Sequence, residues 1–189
     1  YISCEELMPF VHLPIQSGSN KILKLMNRKH TVEKYLEIHK KLMIINPEIK
    51  FSSDFIIGYP GEEVKDFNDT VELIKSVGFI NSFSFIFSPR PGTVASDYVD
   101  QFVEKEVIDD RFMRLKVRQT EISEKRYKRY QNTKQTMLIE KVSKKDNNIL
   151  TGRIEGGHIV HLESSSENIG KLLNVKIYDT TPFFLKATL

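Results

Sequence analysis

SDFIIGYPGEE, from Ser53 to Glu63, is the stretch on which the fold turns. An apolar run, Phe55-Ile56-Ile57, breaks into two glycines, a proline and two acids. Aromatic and β-branched residues that stop at a Gly/Pro cluster read as a buried strand ending in a tight turn. From Glu62 to Val77 the spacing predicts a helix. Val64, Phe67, Val71 and Ile74 share one face, and Gly78 stands where a C-terminal cap belongs. A continuous apolar strand followed by an amphipathic helix is half of a parallel crossover.

The flanks complete the pattern. Met8–Ile15 reads as a short buried strand, and Ile22, Leu23, Leu25 and Met26 cluster as on a helix. Thr31 can cap a second helix carrying Tyr35, Leu36, His39, Leu42 and Met43, which Asn46-Pro47 stops. IKFSSDFIIG, ending at Gly58, is the second strand, and Ser82–Ser88, with alternating Phe83, Phe85 and Phe87, is the third. Strand, helix, strand, helix, strand predicts right-handed crossovers and a parallel α/β sheet. A long helix from about Asp109 to Tyr130 follows. Beyond it QTMLIEKV, NILTGRI, HIVHLE, KLLNVKIYD and PFFLKATL are five short strands split by Asp/Asn, Gly-Gly and Ser clusters, the pattern of a small antiparallel barrel. These readings divide the chain into residues 1–128 and 129–189. Three parallel strands cannot close a barrel, and apolar strands such as Phe55–Ile57 need cover on both faces. The expectation is that further strands precede Tyr1.

Composition narrows the class. The chain has 189 residues, 40% hydrophobic and 28% charged, which is ordinary for a soluble globular protein. No apolar run approaches the roughly 20 residues of a membrane helix, and Tyr1–Cys4 has no secretory-signal character. One cysteine, Cys4, excludes an internal disulfide framework and fits a reducing, cytoplasmic setting. The formal charge is +3, but between Arg111 and Arg129 eight basic residues meet two acidic ones, so one segment carries the positive field.

Ligands of parallel sheets sit at the carboxyl ends of strands. After the first strand come His12, Pro14, Gln16, Ser17, Gly18 and Ser19; after the second Gly58, Pro60, Gly61 and Glu62; after the third Ser88, Arg90, Pro91, Gly92 and Thr93. Glycines admit a ribose or base close to the backbone, Gln16 and Ser17 can donate to a carboxylate, and Arg90 can clamp a carboxylate or phosphate. Glu62 at a helix start is favoured by the helix dipole. Each has a plainer reading that stays open. Gly58–Gly61 can be only a strand-to-helix turn, Ser17-Gly18-Ser19 only a turn and cap, Arg90 a surface arginine, and His12 a core histidine. The histidines show no metal-ligand spacing, and one cysteine cannot hold an iron–sulfur cluster.

HLPIQSGSNKILKLMNRKHT, SSDFIIGYPGE and FSFIFSPRPGT, in this order, resemble the last part of the barrel in radical S-adenosylmethionine (SAM) tRNA methylthiotransferases, of the type that acts on N(6)-dimethylallyladenosine. MLIEKV, LTGR, HIVHL and IGKLLNVKIYD resemble the strands of a TRAM domain, and the resemblance covers essentially the whole chain. It implies the last three βα units of a partial parallel (β/α) radical SAM barrel, followed by a small antiparallel, OB-like β-barrel. It implies SAM as cofactor, with Gln16, Ser17, Gly18, Asp54, Gly58, Pro60, Gly61, Glu62, Ser88 and Arg90 at its pocket. It also implies 4Fe–4S clusters whose cysteine ligands are absent here, because Cys4 precedes the first strand. The implied reaction adds a methylthio group at C2 of an isopentenylated adenosine beside the anticodon, and the implied partner is the tRNA anticodon stem-loop. Glu63-Val64 and Gly156-Gly157 depart from the family pattern, the latter where an asparagine-bearing turn is usual.

Lys125, Arg126, Lys128 and Arg129, interleaved with Tyr127 and Tyr130, are the expected RNA contacts, with Lys134, Lys141, Arg153 and Lys171 in the barrel. The plain alternative is a solvated helix face packed by Phe112, Leu115 and Ile122. Three readings remain at this level: the C-terminal part of an enzyme that needs a cluster-bearing half in cis or in trans, a stand-alone RNA-binding module, or a remnant that does not fold stably.

Overall fold

The computed structural model describes Cys4 and residues 7–189. They form two compact units: one holds residues 11–47 and 51–119, the other residues 120–189 with Cys4 and residues 7–10 and 48–50.

The first unit is built on a three-stranded sheet in the order β1 (Phe10–His12), β2 (Lys50–Ile57), β3 (Asn81–Ile86). β2 and β3 are parallel, with Asp54 opposite Phe83 and Ile56 opposite Phe85. β1 is shorter than the sequence predicts, because Leu13, Pro14 and Ile15 leave strand geometry. The chain rejoins β2 at Gln16, whose N–H donates to the Asp54 carbonyl at 2.9 Å and whose carbonyl accepts from Ile56 N–H at 2.9 Å. Three helices follow the strands: α1 (Asn20–Leu25), α2 (Val32–Ile45) and α3 (Val64–Val77). The Ser19 and Thr31 hydroxyls accept from Ile22 and Lys34 N–H and cap α1 and α2. Phe55, Phe67, Phe79, Ile15, Ile22 and Ile74 form the buried core between sheet and helices.

One expectation changes here. α3 starts at Val64, with Glu63 as its cap and Glu63 N–H donating to Asp66 Oδ2 at 2.9 Å; Glu62 lies outside it and Val64 is 63% exposed. β3 forms as a strand as expected, with Phe83 and Phe85 56% and 54% exposed on the face they share with Asp54 and Ile56.

The long helix α4 (Lys105–Tyr127) starts in the first unit and ends in the second. The second unit is a closed barrel of β4 (Lys134–Val142), β5 (Ile149–Ile154), β6 (Ile159–Glu163), β7 (Leu172–Thr180) and β8 (Leu185–Thr188), ordered β4-β5-β6-β8-β7. All neighbours are antiparallel except β6 and β8, which are parallel. That single parallel closure is the signature of an OB-like barrel within the expected antiparallel design. Alternation of inward residues fills it with Met137, Ile139, Leu150, Val160, Ile177 and Leu185, and Tyr127 of α4 joins this core.

Candidate functional site

In the first unit the open face of the sheet carries a concavity of about 650 Å³. Gln16, Arg28, Asp54, Ile56, Phe85 and Arg90 are among its lining residues, with Ser88 beside Arg90. Alternation along β2 and β3 puts Asp54 and Ile56 on this face, and Gln16 reaches it through an unusual positive φ of 80°. His12 lies on the same face, with Nδ1 2.7 Å from Ser52 Oγ and Nε2 3.5 Å from Asp54 Oδ2. Two guanidinium groups, one carboxylate, one amide and the aromatic rings of Tyr59, Phe85 and Phe87 line it together. Such a set can hold a ligand that bears both a carboxylate or phosphate and a flat heterocycle.

The other expected pocket residues are used in packing. Ser17 is buried, and its hydroxyl accepts from Ser19 N–H at 3.1 Å. Gly18 donates its N–H to Thr70 Oγ1 at 2.8 Å, and a Cβ there would stand 2.5 Å from the Asp69 carbonyl oxygen. It is a glycine because α3 passes against its backbone. Ser19 both caps α1 and donates to Asp66 Oδ1 at 2.6 Å. Asp66 also accepts from Lys21 Nζ at 3.1 Å. Burial opposes ionisation of Asp66, but the Ser19 hydroxyl, the Glu63 N–H and Lys21 together hold its carboxyl below the usual range.

The Gly58–Glu62 turn is packed in the same way. At φ 74° Gly58 presents its bare Cα to Ile108 of α4, where a Cβ would come within 2.6 Å of Cγ1. Pro60 is buried, and Gly61 N–H donates to the Gln101 carbonyl at 2.9 Å. Glu62 is 5% exposed: its Oε1 accepts from Arg111 at 2.7 Å and its Oε2 from Gly58 N–H at 3.3 Å. Arg111 also donates to the Glu62 carbonyl at 3.0 Å. Burial raises the Glu62 carboxyl above its ordinary value, with Arg111 acting against the rise. Arg111, counted by sequence into the basic segment, is thus buried in this pair. Of the ten expected pocket residues, Gln16, Asp54, Ser88 and Arg90 line the concavity. Arg28, which sequence reading missed, lines it too because α1 ends just before it.

In the second unit the expected RNA residues do not form one patch. Lys125 and Arg129 are exposed, Lys128 pairs with Glu124 at 3.0 Å, and Arg126 is half-buried beside Arg129. Tyr127 is fully buried and cannot stack on a base; it and Tyr130 pack on His158 at 4.8 and 4.6 Å. Lys134 faces Lys176 across β4 and β7. Arg153 is held by Glu140 at 3.2 Å and the Gly157 carbonyl at 2.9 Å, and Lys171 by Asn168 at 3.2 Å. Lys141 lies elsewhere, on a groove of about 760 Å³ shared with Lys144, Lys145, His161, Tyr178 and Phe184.

Among the described residues no group of three or more His, Cys, Asp or Glu could hold a metal ion, and no helix is long and apolar enough to cross a membrane. With Cys4 as the sole cysteine, these residues do not fit an iron–sulfur cluster.

Residues 4–74 match the radical SAM superfamily, and residues 128–189 match the TRAM domain. The chain is 51% identical to a tRNA-2-methylthio-N(6)-dimethylallyladenosine synthase of Pelagibacter ubique, over 94% of this chain and 39% of that protein. Against the Vibrio cholerae protein of the same name it is 47% identical, over 100% of this chain and 40% of the relative. The chain therefore spans about two fifths of the length of the curated relatives it matches. Among solved structures it resembles coproporphyrinogen III oxidase (HemN) of Escherichia coli, a radical SAM enzyme, with a TM-score of 0.52 and 14% identity over 60% of this chain and 27% of that one. That likeness is one of fold. The chain thus contains a radical SAM segment and a TRAM domain.

Proposed function

We propose that this chain supplies the SAM-facing strand ends and the tRNA-binding barrel of a methylthiotransferase acting on N(6)-dimethylallyladenosine next to the anticodon. The observation that carries the reading is similarity over 94% of this chain, at 51% identity, to part of a protein named for that reaction. The concavity supports it: Arg28 and Arg90 suit the carboxylate of SAM, and Gln16 and Asp54 suit its polar groups. When bound with a cluster, SAM supplies both methyl group and radical chemistry. This chain's own residues can only bind and orient it. The exposed Phe83 and Phe85 face fits the expectation of a cluster-bearing portion, in cis or in trans. In this reading residues 1–128 serve SAM, residues 129–189 serve tRNA, and the setting is cytoplasmic.

The test is tRNA binding over a salt series, for the chain and for a variant with Lys125, Lys128 and Arg129 changed to alanine. Each lost phosphate contact lowers the log–log salt slope by about 0.7–0.9. A slope of several units that falls by about 2 in the variant supports the reading. Absence of tRNA binding by the unaltered chain refutes it.

A further inference from the structure

We propose that Phe83, flanked by Phe85 and Ile56 and walled by His12, seats the dimethylallyl group of N(6)-dimethylallyladenosine and so separates the alkylated base from plain adenosine. The inference rests on the reading that this chain serves an enzyme acting on that nucleoside, and it assigns the side chains that read the substituent.

The apolar strip follows from strand alternation. Phe83 and Phe85 share one face of β3, while Ser82 on the other face donates to Gln119 Oε1 of α4 at 3.0 Å. α4 therefore packs one side of the strand, and the two rings project to the concave side, each more than half exposed. Across β2, Asp54 stands opposite Phe83 and Ile56 opposite Phe85. Neighbouring strands lie about 4.8 Å apart and alternate residues about 7 Å apart, so these side chains span the footprint of one branched five-carbon chain. Phe85 and Ile56 line the concavity, and Phe83 continues it toward the start of β3, away from Arg90. The arginines suit the charged end of a ligand, and the strip suits an uncharged substituent.

The strip is held in shape from one side. The His12 ring meets Phe83 edge-on, with centroids 6.4 Å apart and planes at 68°. His12 is anchored in turn: Nδ1 lies 2.7 Å from the Oγ of buried Ser52, and Nε2 lies 3.5 Å from Asp54 Oδ2. Asp54 thereby offers a carboxylate beside the strip, an acceptor for the one N–H that remains on an alkylated N6. The same polar groups bound the apolar area. His12 and Asp54 close it toward the strand starts, and Ser88 and Arg90 close it at the rim. An apolar surface limited in this way matches one small substituent and not a continuous protein contact. A cluster-bearing portion facing this side would enclose the substituent over the rings.

The test titrates the whole chain with N(6)-dimethylallyladenosine, adenosine and S-adenosylhomocysteine, each followed by proton NMR. Contact on one side buries about two CH2 equivalents of the group, so the alkylated nucleoside is expected to bind roughly tenfold more tightly than adenosine. Phe83→Ala is expected to abolish that preference and to leave the Kd of adenosine and of S-adenosylhomocysteine unchanged. Phe83→Leu, which keeps an apolar side chain, is expected to retain most of the preference. Phe83 is more than half exposed, and circular dichroism confirms that both variants keep their fold. Equal affinity for the two nucleosides in the unaltered chain overturns the subsite, and so does a preference that survives Phe83→Ala. A parallel loss of all three ligands in Phe83→Ala also overturns it, because the ring then acts on the concavity as a whole. Binding of tRNA is measured alongside. A chain that binds tRNA without preferring the alkylated nucleoside loses the subsite and keeps the proposed function, whereas loss of both takes down the reading on which the subsite rests.

Discussion

Arg111→Met isolates what the Gly58–Glu62 turn depends on. The substitution keeps a long apolar stem in the space but removes both hydrogen bonds from Arg111 Nη1 to Glu62, at 2.7 Å to the carboxylate and 3.0 Å to the carbonyl. The remaining carboxylate, 5% exposed, keeps only the Gly58 N–H at 3.3 Å. Breaking one side of a buried pair costs about 3–5 kcal/mol, because a charge is left without compensation. With a urea dependence of about 2 kcal/mol per molar, the unfolding midpoint of this unit should fall by roughly 2 M at pH 7. The penalty has a definite sign with pH. Burial already raises the folded-state Glu62 above its ordinary value, and Arg111 is the main influence opposing that rise. Without Arg111 the folded value rises further above the unfolded one. Protonation then favours the folded form, and the cost relative to the unaltered chain shrinks as pH falls from 8 toward 5. The double variant E62Q/R111M, which removes the charge itself, should recover most of the loss at pH 7. Urea unfolding followed by far-ultraviolet circular dichroism at two pH values reads all three. A loss below about 1 kcal/mol at pH 7, or one that does not change with pH, would show that Glu62 is solvated and that the turn is not held by this pair.

Gly18→Ala should destabilise the same unit by about 1–3 kcal/mol, because the new methyl group meets backbone atoms of Asp69 and Thr70 at 2.5 Å; urea unfolding measures it, and a change under 0.5 kcal/mol would contradict the close approach. His158 is buried against Tyr127 and Tyr130, and burial, with Lys50 and Arg126 nearby, lowers it to about 4. Its unfolded value is higher, so barrel stability should be full above about pH 6.5 and decline by about 3 kcal/mol as pH falls to 4; His158→Phe should flatten that decline, and an unchanged profile would remove His158 as its cause. Purified alone, the chain should yield no 2-methylthio nucleoside from isopentenylated tRNA in a mass-spectrometric assay, since its one cysteine cannot hold a cluster; turnover without an added cluster-bearing partner would refute this.

The elements were legible where the local signal and the tertiary demand coincide. Thr31 and Gly78 stand at the helix ends assigned to them, and the five barrel strands fall within a few residues of their apolar runs. The site was less legible, because adjacent residues of like chemistry have opposite fates. Glu62 and Glu63 are indistinguishable to a rule about acids at helix starts. The turn that Glu62 N–H closes on the Tyr59 carbonyl comes before Glu63, and extended backbone at Glu63 leads into the helix, so Glu63 is a solvated cap and Glu62 a buried partner of Arg111, 49 residues away. The basic run divides similarly: Arg111 points into the first unit's core while Lys125 faces water, although both belong to one helix.

The glycines show why motif reading locates a site without identifying its contents. Gly18 and Gly58 mark places where something approaches the backbone too closely for a Cβ, and sequence reading took that something to be a nucleoside. In the fold it is the chain itself: α3 at Gly18 and Ile108 of α4 at Gly58. In the proposed SAM reading these glycines bear on ligand binding one step removed, because Gly18 lies two residues after Gln16 and Gly58 four after Asp54, and those two side chains line the concavity. A Cβ at either glycine should therefore disturb ligand affinity and unit stability together, whereas truncating Arg28 or Arg90 at the rim should disturb affinity alone.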